Sequence, residues 1–242
     1  MVEVNMVNKE EFEKFLQSID LVKYRRTYLP VKIVEMDMPK NVQAISLLYE
    51  IYAEKRQLIN FEEFFLEYKK RYRKDLDKFR EKTTMCKSCF SRGLPARIYR
   101  TWASILTQIH AGFVAESVFG KGNVEMSAEL DHQGADFRVD YNGVQINYQV
   151  KKETYSREVR AEKAKPKKGL NGDFIDITYA VLSFDRIKNP YQKNRKDLYS
   201  DYKNFKENFI DTGYLKILKN GFVVFTPHIF EQKKKEIDQT LK

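Results

Sequence analysis

Acids, amides and lysines alternate with apolar residues in the segment AELDHQGADFRVDYNGVQINYQVKKET, which runs from Ala128 to Thr154. Asn142-Gly143 is the dipeptide that best tolerates positive φ at both central positions of a two-residue turn, so a hairpin of two short strands is predicted here. Pairing of these strands brings Asp136 near Gln149 and Lys151 on one polar surface. Carboxylate and amide oxygens beside an ammonium suit a hard divalent cation and a polarised water.

The alternation of side chains in this segment assigns the two faces of the hairpin. On the first strand the apolar face holds Ala135, Phe137 and Val139, and the polar face holds Asp136, Arg138 and Asp140. On the second strand the polar face holds Gln145, Asn147, Gln149 and Lys151, and the apolar face holds Ile146, Tyr148 and Val150. Because alternate residues of a strand point to opposite faces, one side can enter a core while the other carries the chemistry. Asp131, in the preceding loop, is the second acid beside this polar surface.

The pattern resembles the PD-(D/E)XK nuclease superfamily, in which an acid on one strand and an (E/D/Q)-x-K triplet on the next flank a scissile phosphate. Here the acid is Asp136 and the triplet is Gln149-Val150-Lys151, with Gln where an acid is usual. The wider run is similar to the TaqI-like type II restriction endonucleases in three stretches: WASILTQIHAGFVAESVF (Trp102–Phe119), LDHQGADF (Leu130–Phe137) and QVKK (Gln149–Lys152). Together these span about a fifth of the chain, in its middle.

The resemblance implies an α/β (α+β) fold with a mixed central β-sheet flanked by helices. The PD-(D/E)XK core would occupy residues 101–242, after a mainly helical region over residues 1–100, or the two would form one domain. It also implies a type II site-specific deoxyribonuclease that needs Mg²⁺, cuts double-stranded DNA at a short palindrome, TCGA in the TaqI-like family, and leaves 5′-phosphates. A homodimer whose two-fold axis matches the site and a cognate DNA methyltransferase are the implied partners.

Roles for individual residues follow from the same resemblance. The predicted metal ligands are Asp136, Asp131, the carbonyl of Val150 and Glu116, and the predicted catalytic residues are Asp131, Asp136, Gln149, Lys151 and Lys152. Lys151 would orient or deprotonate the attacking water; Lys152 is its rival, because a β-bulge would exchange the two. Glu116 lies on the predicted helix that precedes the core strands, where this superfamily often has an acid, but an exposed edge of that helix is an equal alternative.

Basic residues after the hairpin and around it are the candidate DNA contacts. The predicted set is His132, Arg138, Arg157, Arg160, Lys163, Lys165, Lys167 and Lys168. Arg can bond guanine edges in two places, whereas Lys mostly neutralises phosphate. The alternatives are a surface loop for the segment from Ser156 to Asp173 and a histidine without function at position 132.

Composition narrows the classes of protein to which this chain can belong. Lys and Arg number 44 against 34 Asp and Glu, a net charge of +10 that favours a polyanionic partner. Neither a signal peptide nor an apolar run long enough to span a bilayer is evident, so no membrane association and a cytoplasmic location are expected. Cys86 and Cys89 form a lone C-x-x-C, half of a zinc site at most; an ordinary loop with two thiols is preferred, and a redox pair is the alternative.

Two further functions stay open at this point. One is a nuclease of the same fold that cuts non-specifically or recognises the structure of DNA or RNA. A sharp, sequence-specific fragment pattern would rule it out. The other is a non-catalytic DNA-binding module, which would bind duplex with a steep salt dependence and hydrolyse nothing. The presence of both Asp136 and Lys151 argues against the second.

Periodicity and capping residues predict the elements that must hold these side chains. Predicted helices are Glu10–Leu21, Asn41–Arg56 with Asn41 as N-cap, a helix capped by Asn60, Trp102–Phe119 ended by Gly120, and Phe230–Leu241. Predicted strands are Val124–Ser127, Phe174–Phe184 and a last hairpin around Asn220-Gly221, and Val31–Met38 is a predicted extended connector.

Overall fold

The computed structural model describes residues 7–31, 38–83, 85–153, 169–180 and 202–240. The predicted connector Val31–Met38 lies almost wholly outside these residues. In the described part, helices fill the first half of the chain, and a mixed sheet follows with helices packed against it. The expected mixed central sheet flanked by helices is therefore confirmed.

Two short helices open the chain where one was predicted. Helix α1 spans Lys9–Ser18, and Asn8 and Glu11 form a capping box at its start. Asp20 then accepts a hydrogen bond from the backbone amide of Lys23 and begins helix α2, Leu21–Tyr28. The predicted helix Glu10–Leu21 is therefore confirmed as far as Ser18, and its extension to Leu21 is wrong because Asp20 caps a second helix.

The next helical segment is broken into three pieces. A 3₁₀ turn covers Lys40–Val42, helix α3 covers Ile45–Leu48, and a π-helix covers Tyr49–Glu54. Asn41 lies inside the 3₁₀ turn, so its prediction as an N-cap is wrong. The π-helical turn matters below, because its first residue reaches the candidate site.

The helix predicted after Asn60 is confirmed, with a capping box formed by Asn60 and Glu63. This helix, α4, spans Phe61–Arg71, and α5 follows as Arg73–Lys82. Acids in the first turn of α4 and basic residues in its last turn complement the helix dipole.

The longest element is helix α6, Lys87–Phe119, with 33 residues and Pro95 inside it. It begins well before the predicted Trp102, because Cys86 acts as its N-cap. It ends at Gly120, as predicted, where a φ of 92° requires a residue without Cβ. Its side chains enter both hydrophobic cores, so this one helix ties the N-terminal helices to the sheet.

Within the described residues the main sheet has four strands in the order β1-β2-β3-β4. A 3₁₀ turn, Lys121–Asn123, leads into β1, which is only Val124–Glu125. Helix α7, Ala128–Gln133, separates β1 from the predicted hairpin of β2, Phe137–Tyr141, and β3, Val144–Glu153. Strand β4, Asp173–Ala180, lies parallel to β3, whereas the β1–β2 and β2–β3 pairs are antiparallel.

The hairpin turn has the predicted geometry. Asn142 and Gly143 have φ values of 52° and 79°, the positive pair that a type I′ turn needs. The register pairs Phe137 with Tyr148 and Val139 with Ile146, and all four side chains are buried. The predicted inner face of the hairpin is therefore confirmed.

The C-terminal part covers one side of this sheet. Residues 202–205 are helical and continue into a π-helix, Lys206–Ile210. The predicted last hairpin is confirmed as β5, Leu215–Ile217, and β6, Val223–Phe225, and the predicted final helix is α8, His228–Thr240. Phe230 of α8 packs its ring against Phe137 and Tyr148.

The buried apolar residues of the described part of the chain form two clusters. One joins α1, α2, α3, the π-helix Tyr49–Glu54 and α4 to the first part of α6, and the other lies between the end of α6, the sheet and α8. The predicted division near residue 100 stays a prediction. In the described residues no helix combines the length and apolarity that a membrane span requires.

Candidate active site

Asp136 lies at the start of β2 and is held from three directions. Its carboxylate accepts a hydrogen bond from the backbone amide of Val150 (Oδ2–N, 2.5 Å). Its own amide donates to the carbonyl of Tyr148 (2.8 Å), and its carbonyl accepts from the Tyr49 hydroxyl (3.0 Å). Only 7% of the residue is exposed. The side chain is thus fixed against β3 in the place that the hairpin pattern predicts.

Asp131 is the second acid of this site. It lies in helix α7, not in a loop as expected, because Ser127 caps that helix through the amide of Leu130. Gly134, with a φ of 98°, then turns the chain into β2. This short helix and tight turn bring the Asp131 carboxylate against that of Asp136.

The electrostatics of this pair are unfavourable for two ionised acids. Burial raises the pKa of Asp136 well above its usual range, and the charge of Asp131 raises it further. The hydrogen bond from the Val150 amide opposes this shift, and a smaller repulsion comes from Asp176. A buried carboxylate whose pKa is raised by a second carboxylate beside it forms an arrangement that a cation or a shared proton stabilises.

Tyr49 is a member of the site that the sequence did not reveal. It belongs to the π-helix and is fully buried. Burial raises the pKa of its hydroxyl well above the usual value, and the charges of Asp131 and Asp136 add to the shift. The hydroxyl therefore stays protonated and donates to the backbone carbonyl of Asp136, with the Asp131 carboxylate as a further acceptor beside it. A tyrosine some eighty residues earlier carries no local signal of this contact.

The polar face of β3 and β4 supplies the cationic part of the site. The parallel register sets Gln149 opposite Asp176 and Lys151 opposite Thr178. The Lys151 ammonium lies 2.5 Å from Oδ2 of Asp176, and both side chains keep about two-fifths of their surface exposed, 43% and 41%. Asp176 was not predicted, although its position between Ile175 and Ile177 places it on the polar face of its strand.

Lys152 lies on the opposite face of β3. The pairing of β3 with β4 is regular from Ile146↔Asp173 to Glu153↔Ala180, without a bulge that would exchange Lys151 and Lys152. Lys152 keeps contact with solvent, while the protein around it lowers the pKa of its ammonium, with a smaller repulsion from Arg25. Of the two lysines, Lys151 is the one on the face that carries Gln149 and Asp176.

A model of the TaqI restriction endonuclease family matches residues 9–237 of this chain. The chain belongs to this family. It is 33% identical over 222 residues to Type II restriction enzyme TaqI of Thermus aquaticus, across 89% of this chain and 82% of that enzyme. It is 30% identical over 241 residues to Type II restriction enzyme TthHB8I of Thermus thermophilus, across 96% of this chain and 88% of that enzyme. No solved structure matches the chain.

Membership of the TaqI restriction endonuclease family makes the chain a restriction endonuclease that cleaves double-stranded DNA at specific sites. The function predicted from the hairpin motif is confirmed at this level. Enzymes of this type generally use divalent metal ions.

The acids Asp131 and Asp136 fit a hard divalent cation by their chemistry. Oxygen ligands are what Mg²⁺ prefers, and a cation would remove the repulsion that raises the pKa of Asp136. In the residues that the structure describes, no three His, Cys, Asp or Glu side chains are grouped closely enough to hold a metal by themselves. Two carboxylates plus backbone carbonyl, water or substrate oxygens are the usual ligand set of protein-bound Mg²⁺.

Glu116, a predicted metal ligand, forms an ion pair with Arg56. Its carboxylate lies 2.5 Å from the Arg56 guanidinium, and the two side chains are only 9% and 10% exposed. Arg56 also donates to the carbonyl of Val7 (2.8 Å) and stacks over the Phe113 ring. Burial raises the pKa of Glu116, and the charge of Arg56 opposes that shift. A metal-ligand role for Glu116 stays a prediction. The alternative prediction, that Glu116 lies on an exposed edge of the helix, is wrong.

The predicted DNA contacts divide into two groups. His132 is exposed at the end of α7, with Nδ1 2.5 Å from the carbonyl of Ala128, and Arg138 pairs with Glu125 at 2.5 Å. The other six, Arg157, Arg160, Lys163, Lys165, Lys167 and Lys168, lie outside the described residues. A role in DNA binding stays a prediction for all eight.

Cys86 and Cys89 begin a helix, so the expected loop is wrong. The Cys86 sulfur accepts a hydrogen bond from the amide of Cys89 (3.1 Å), as an N-cap side chain does. Both thiols are free and exposed. The described residues contain no group of metal ligands that includes them.

Proposed function

We propose that this TaqI-family endonuclease hydrolyses phosphodiester bonds of double-stranded DNA with Mg²⁺ as cofactor, from a core of the PD-(D/E)XK type. The observation that carries the proposal is the contact of two carboxylates, Asp131 and Asp136, at the open end of the β2–β3 hairpin, where the polar face of β3 also carries Lys151. Acids that repel one another beside a lysine on the next strand form a site for a cation and a phosphate together.

Asp131, Asp136 and the carbonyl of Val150 are the residues that would hold Mg²⁺. When bound, the ion supplies Lewis-acid polarisation of a phosphate oxygen and of a water molecule. Glu116 is left out of this ligand set because Arg56 already binds its carboxylate. Gln149 offers a neutral amide oxygen, a weaker ligand than the acid usual at this place.

Lys151 is the proposed catalytic residue on the polar face. Its ammonium would lie against the scissile phosphate, where it offsets the charge that grows on the phosphorane-like transition state. In its neutral form the same amine could take the proton of the attacking water, so Lys151 orients or deprotonates that water. Tyr49 holds the backbone carbonyl of Asp136, and the Val150 amide holds its carboxylate.

The finer specificity belongs to the proposal as well. We propose cleavage at a specific site, because the two relatives named above are type II restriction enzymes at 33% and 30% identity. The short palindrome TCGA and the 5′-phosphate ends are what the resemblance of the sequence motifs to the TaqI-like family implies. A homodimer would match the two-fold symmetry of such a site. A cognate DNA methyltransferase would protect the host's own copies of it.

Digestion of a sequenced plasmid tests this function. The purified protein is incubated with plasmid in Mg²⁺ and, in parallel, in excess EDTA. Discrete fragments that appear only with Mg²⁺, and whose mapped ends fall within TCGA and carry 5′-phosphates, are the expected result. Discrete fragments at another sequence would correct the site, and a smear would favour a structure-selective nuclease instead.

A further inference from the structure

Asp176 is the one acid of the described site that the catalytic scheme leaves without a role. It lies on β4, in register with Gln149 of β3, so strand pairing sets their Cα atoms about 5 Å apart. Its Oδ2 accepts a hydrogen bond from the Lys151 ammonium at 2.5 Å. Its charge also acts on Asp136. It therefore contacts the proposed catalytic lysine directly and is close enough to the buried Asp136 to repel its charge.

We propose that Asp176 is a positioning residue that holds the Lys151 ammonium at the place where it meets the scissile phosphate. The inference rests on the proposed function, because it gives Lys151 its catalytic role. It assigns to β4 a part in the reaction that the hairpin motif of β2 and β3 does not contain.

The physical reason is the freedom of a lysine side chain. Lys151 carries its charge on a flexible four-carbon stem, and its side chain is 43% exposed, so packing alone leaves its position weakly defined. The charge-assisted hydrogen bond of 2.5 Å that Lys151 donates to Asp176 on the neighbouring strand β4 limits that freedom. Gln149, the residue beside Asp176, is neutral and gives the ammonium no opposing charge. Positioning of this kind lowers the barrier of the chemical step.

The same carboxylate is expected to oppose DNA binding. It is a negative charge on the face that would meet the phosphate backbone, and it keeps 41% of its side-chain surface exposed. Removing the Asp176 carboxylate lowers the repulsion between this face and DNA. The same change releases the Lys151 side chain from its partner. Turnover and DNA affinity should thus change in opposite directions, which a loss of folded structure would not produce. A half-exposed ion pair also contributes little to stability, so the variant should fold.

The experiment compares Asp176→Asn with Asp173→Asn. Asp173 is an exposed acid on the same strand, about 10 Å away and on the opposite face, so its variant removes an equal charge without touching Lys151. We expect Asp176→Asn to lower kcat on a plasmid with mapped sites by about 10- to 100-fold, the usual cost of removing a partner that orients an active group. Its Kd for duplex DNA, measured in EDTA, should be unchanged or lower. Asp173→Asn should keep the wild-type kcat.

Two further variants make the test specific to Lys151. Asp176→Glu keeps the charge and should recover a substantial part of kcat. In a Lys151→Gln background, Asp176→Asn should cause no additional loss, because a residue that acts through Lys151 has nothing left to position.

The possible failures are distinguishable. If Lys151→Gln cuts as fast as the wild type, the proposed function of the site is wrong, and this inference falls with it. If Lys151→Gln is inactive while Asp176→Asn keeps full kcat, only the inference is overturned. An equal loss from Asp176→Asn in the wild-type and Lys151→Gln backgrounds, or a weaker Kd with unchanged kcat, would also overturn it.

Discussion

Two buried carboxylates on neighbouring elements have opposite surroundings. Glu116, near the end of α6, faces the Arg56 guanidinium at 2.5 Å, with both side chains about nine-tenths buried. Asp136, at the start of β2, faces a second carboxylate, a protonated tyrosine and one backbone amide. Burial raises the pKa of both acids, but a cation opposes the shift at Glu116 whereas Asp131 reinforces it at Asp136.

From this difference we infer that Glu116 stabilises the fold and that Asp136 takes part in the reaction. A buried charge with a buried counter-charge is satisfied within the folded chain and has no need of a ligand. A buried acid beside another acid lowers the stability of the free protein. Such an arrangement is typical of functional sites, where a bound ligand or a reaction intermediate relieves the repulsion. From this comparison we expect Asp136 to act in the reaction and Glu116 to stabilise the scaffold beneath it.

The largest expected effect is on Asp136. Asp136→Asn should lower cleavage roughly 10³-fold or more, the scale seen when a group that acts on the reacting atoms is removed. The free energy of unfolding should not fall, because the variant also removes the repulsion with Asp131. Plasmid cleavage and denaturant unfolding measure the two quantities. Duplex binding should stay close to that of the wild type.

Asp140→Asn is the matched control for that variant. Asp140 is an exposed acid on the same strand, where it accepts a hydrogen bond from Gln145 at 3.0 Å. Its substitution should leave cleavage within about threefold of the wild type, as is usual for a surface position away from the site. A fully active Asp136→Asn would show that the site has been assigned to the wrong acid.

The reverse pattern is expected at Glu116. Glu116→Gln leaves the Arg56 charge buried without its counter-charge and should lower the free energy of unfolding by about 3 kcal/mol. Cleavage per folded molecule should change little at a temperature where the variant is fully folded. Denaturant unfolding and kcat, measured on one preparation, separate the two effects.

A double variant sharpens this test. Replacing Arg56 by Met together with Glu116→Gln should cost less stability than the sum of the single changes, because no buried charge remains. If Glu116→Gln instead loses both Mg²⁺-dependent cleavage and metal affinity while it stays stable, Glu116 belongs with the ligands, and the contrast between the two acids disappears.

The two lysines of β3 test which face carries the chemistry. Lys151→Ala should lower kcat by about 100-fold or more, as expected for a group that handles a proton or transition-state charge. Lys152→Ala, on the opposite face, should change kcat by less than about tenfold, although its charge can affect DNA affinity. Equal losses in kcat from the two variants would show that the strand alternation does not define the active face.

The smallest expected effect concerns another acid, Glu13 of α1, which is paired with a histidine and a lysine. Burial alone would raise the pKa of Glu13, but hydrogen bonds with His110 (3.3 Å) and Lys216 (2.6 Å) lower it to about 2. A folded-state pKa below the unfolded value of 4.5 contributes stability above pH 4.5, and that contribution is lost as the pH falls toward 2. Denaturant unfolding of Glu13→Gln should show a deficit of about 2 kcal/mol at pH 7.

The pH dependence of that deficit is the decisive part. The stability difference between the wild type and Glu13→Gln should shrink steadily from pH 5 to pH 3 as Glu13 becomes protonated. A constant difference over this range would mean that Glu13 contributes through packing and not through its charge.

Much of the hairpin could be predicted from the sequence alone. The alternation of polar and apolar residues, with Asn142-Gly143 at the turn, determines the strand faces and the register, so Asp136 and Lys151 were predicted on the correct strands. Local capping signals likewise predicted the helix after Asn60. These features depend on residues close together in the chain, where period and turn chemistry are strong constraints.

Only the tertiary structure decided which acids meet which partners. Strand periodicity places Asp176 on a polar face, but it does not state that β4 lies parallel to β3 with Asp176 beside Gln149. Helical periodicity places Glu116 on α6, but not against an arginine 60 residues earlier. Burial and charge are set by such distant neighbours, so the raised pKa of Asp136 and the ion pair of Glu116 arise from the packing of the folded chain and from no local pattern.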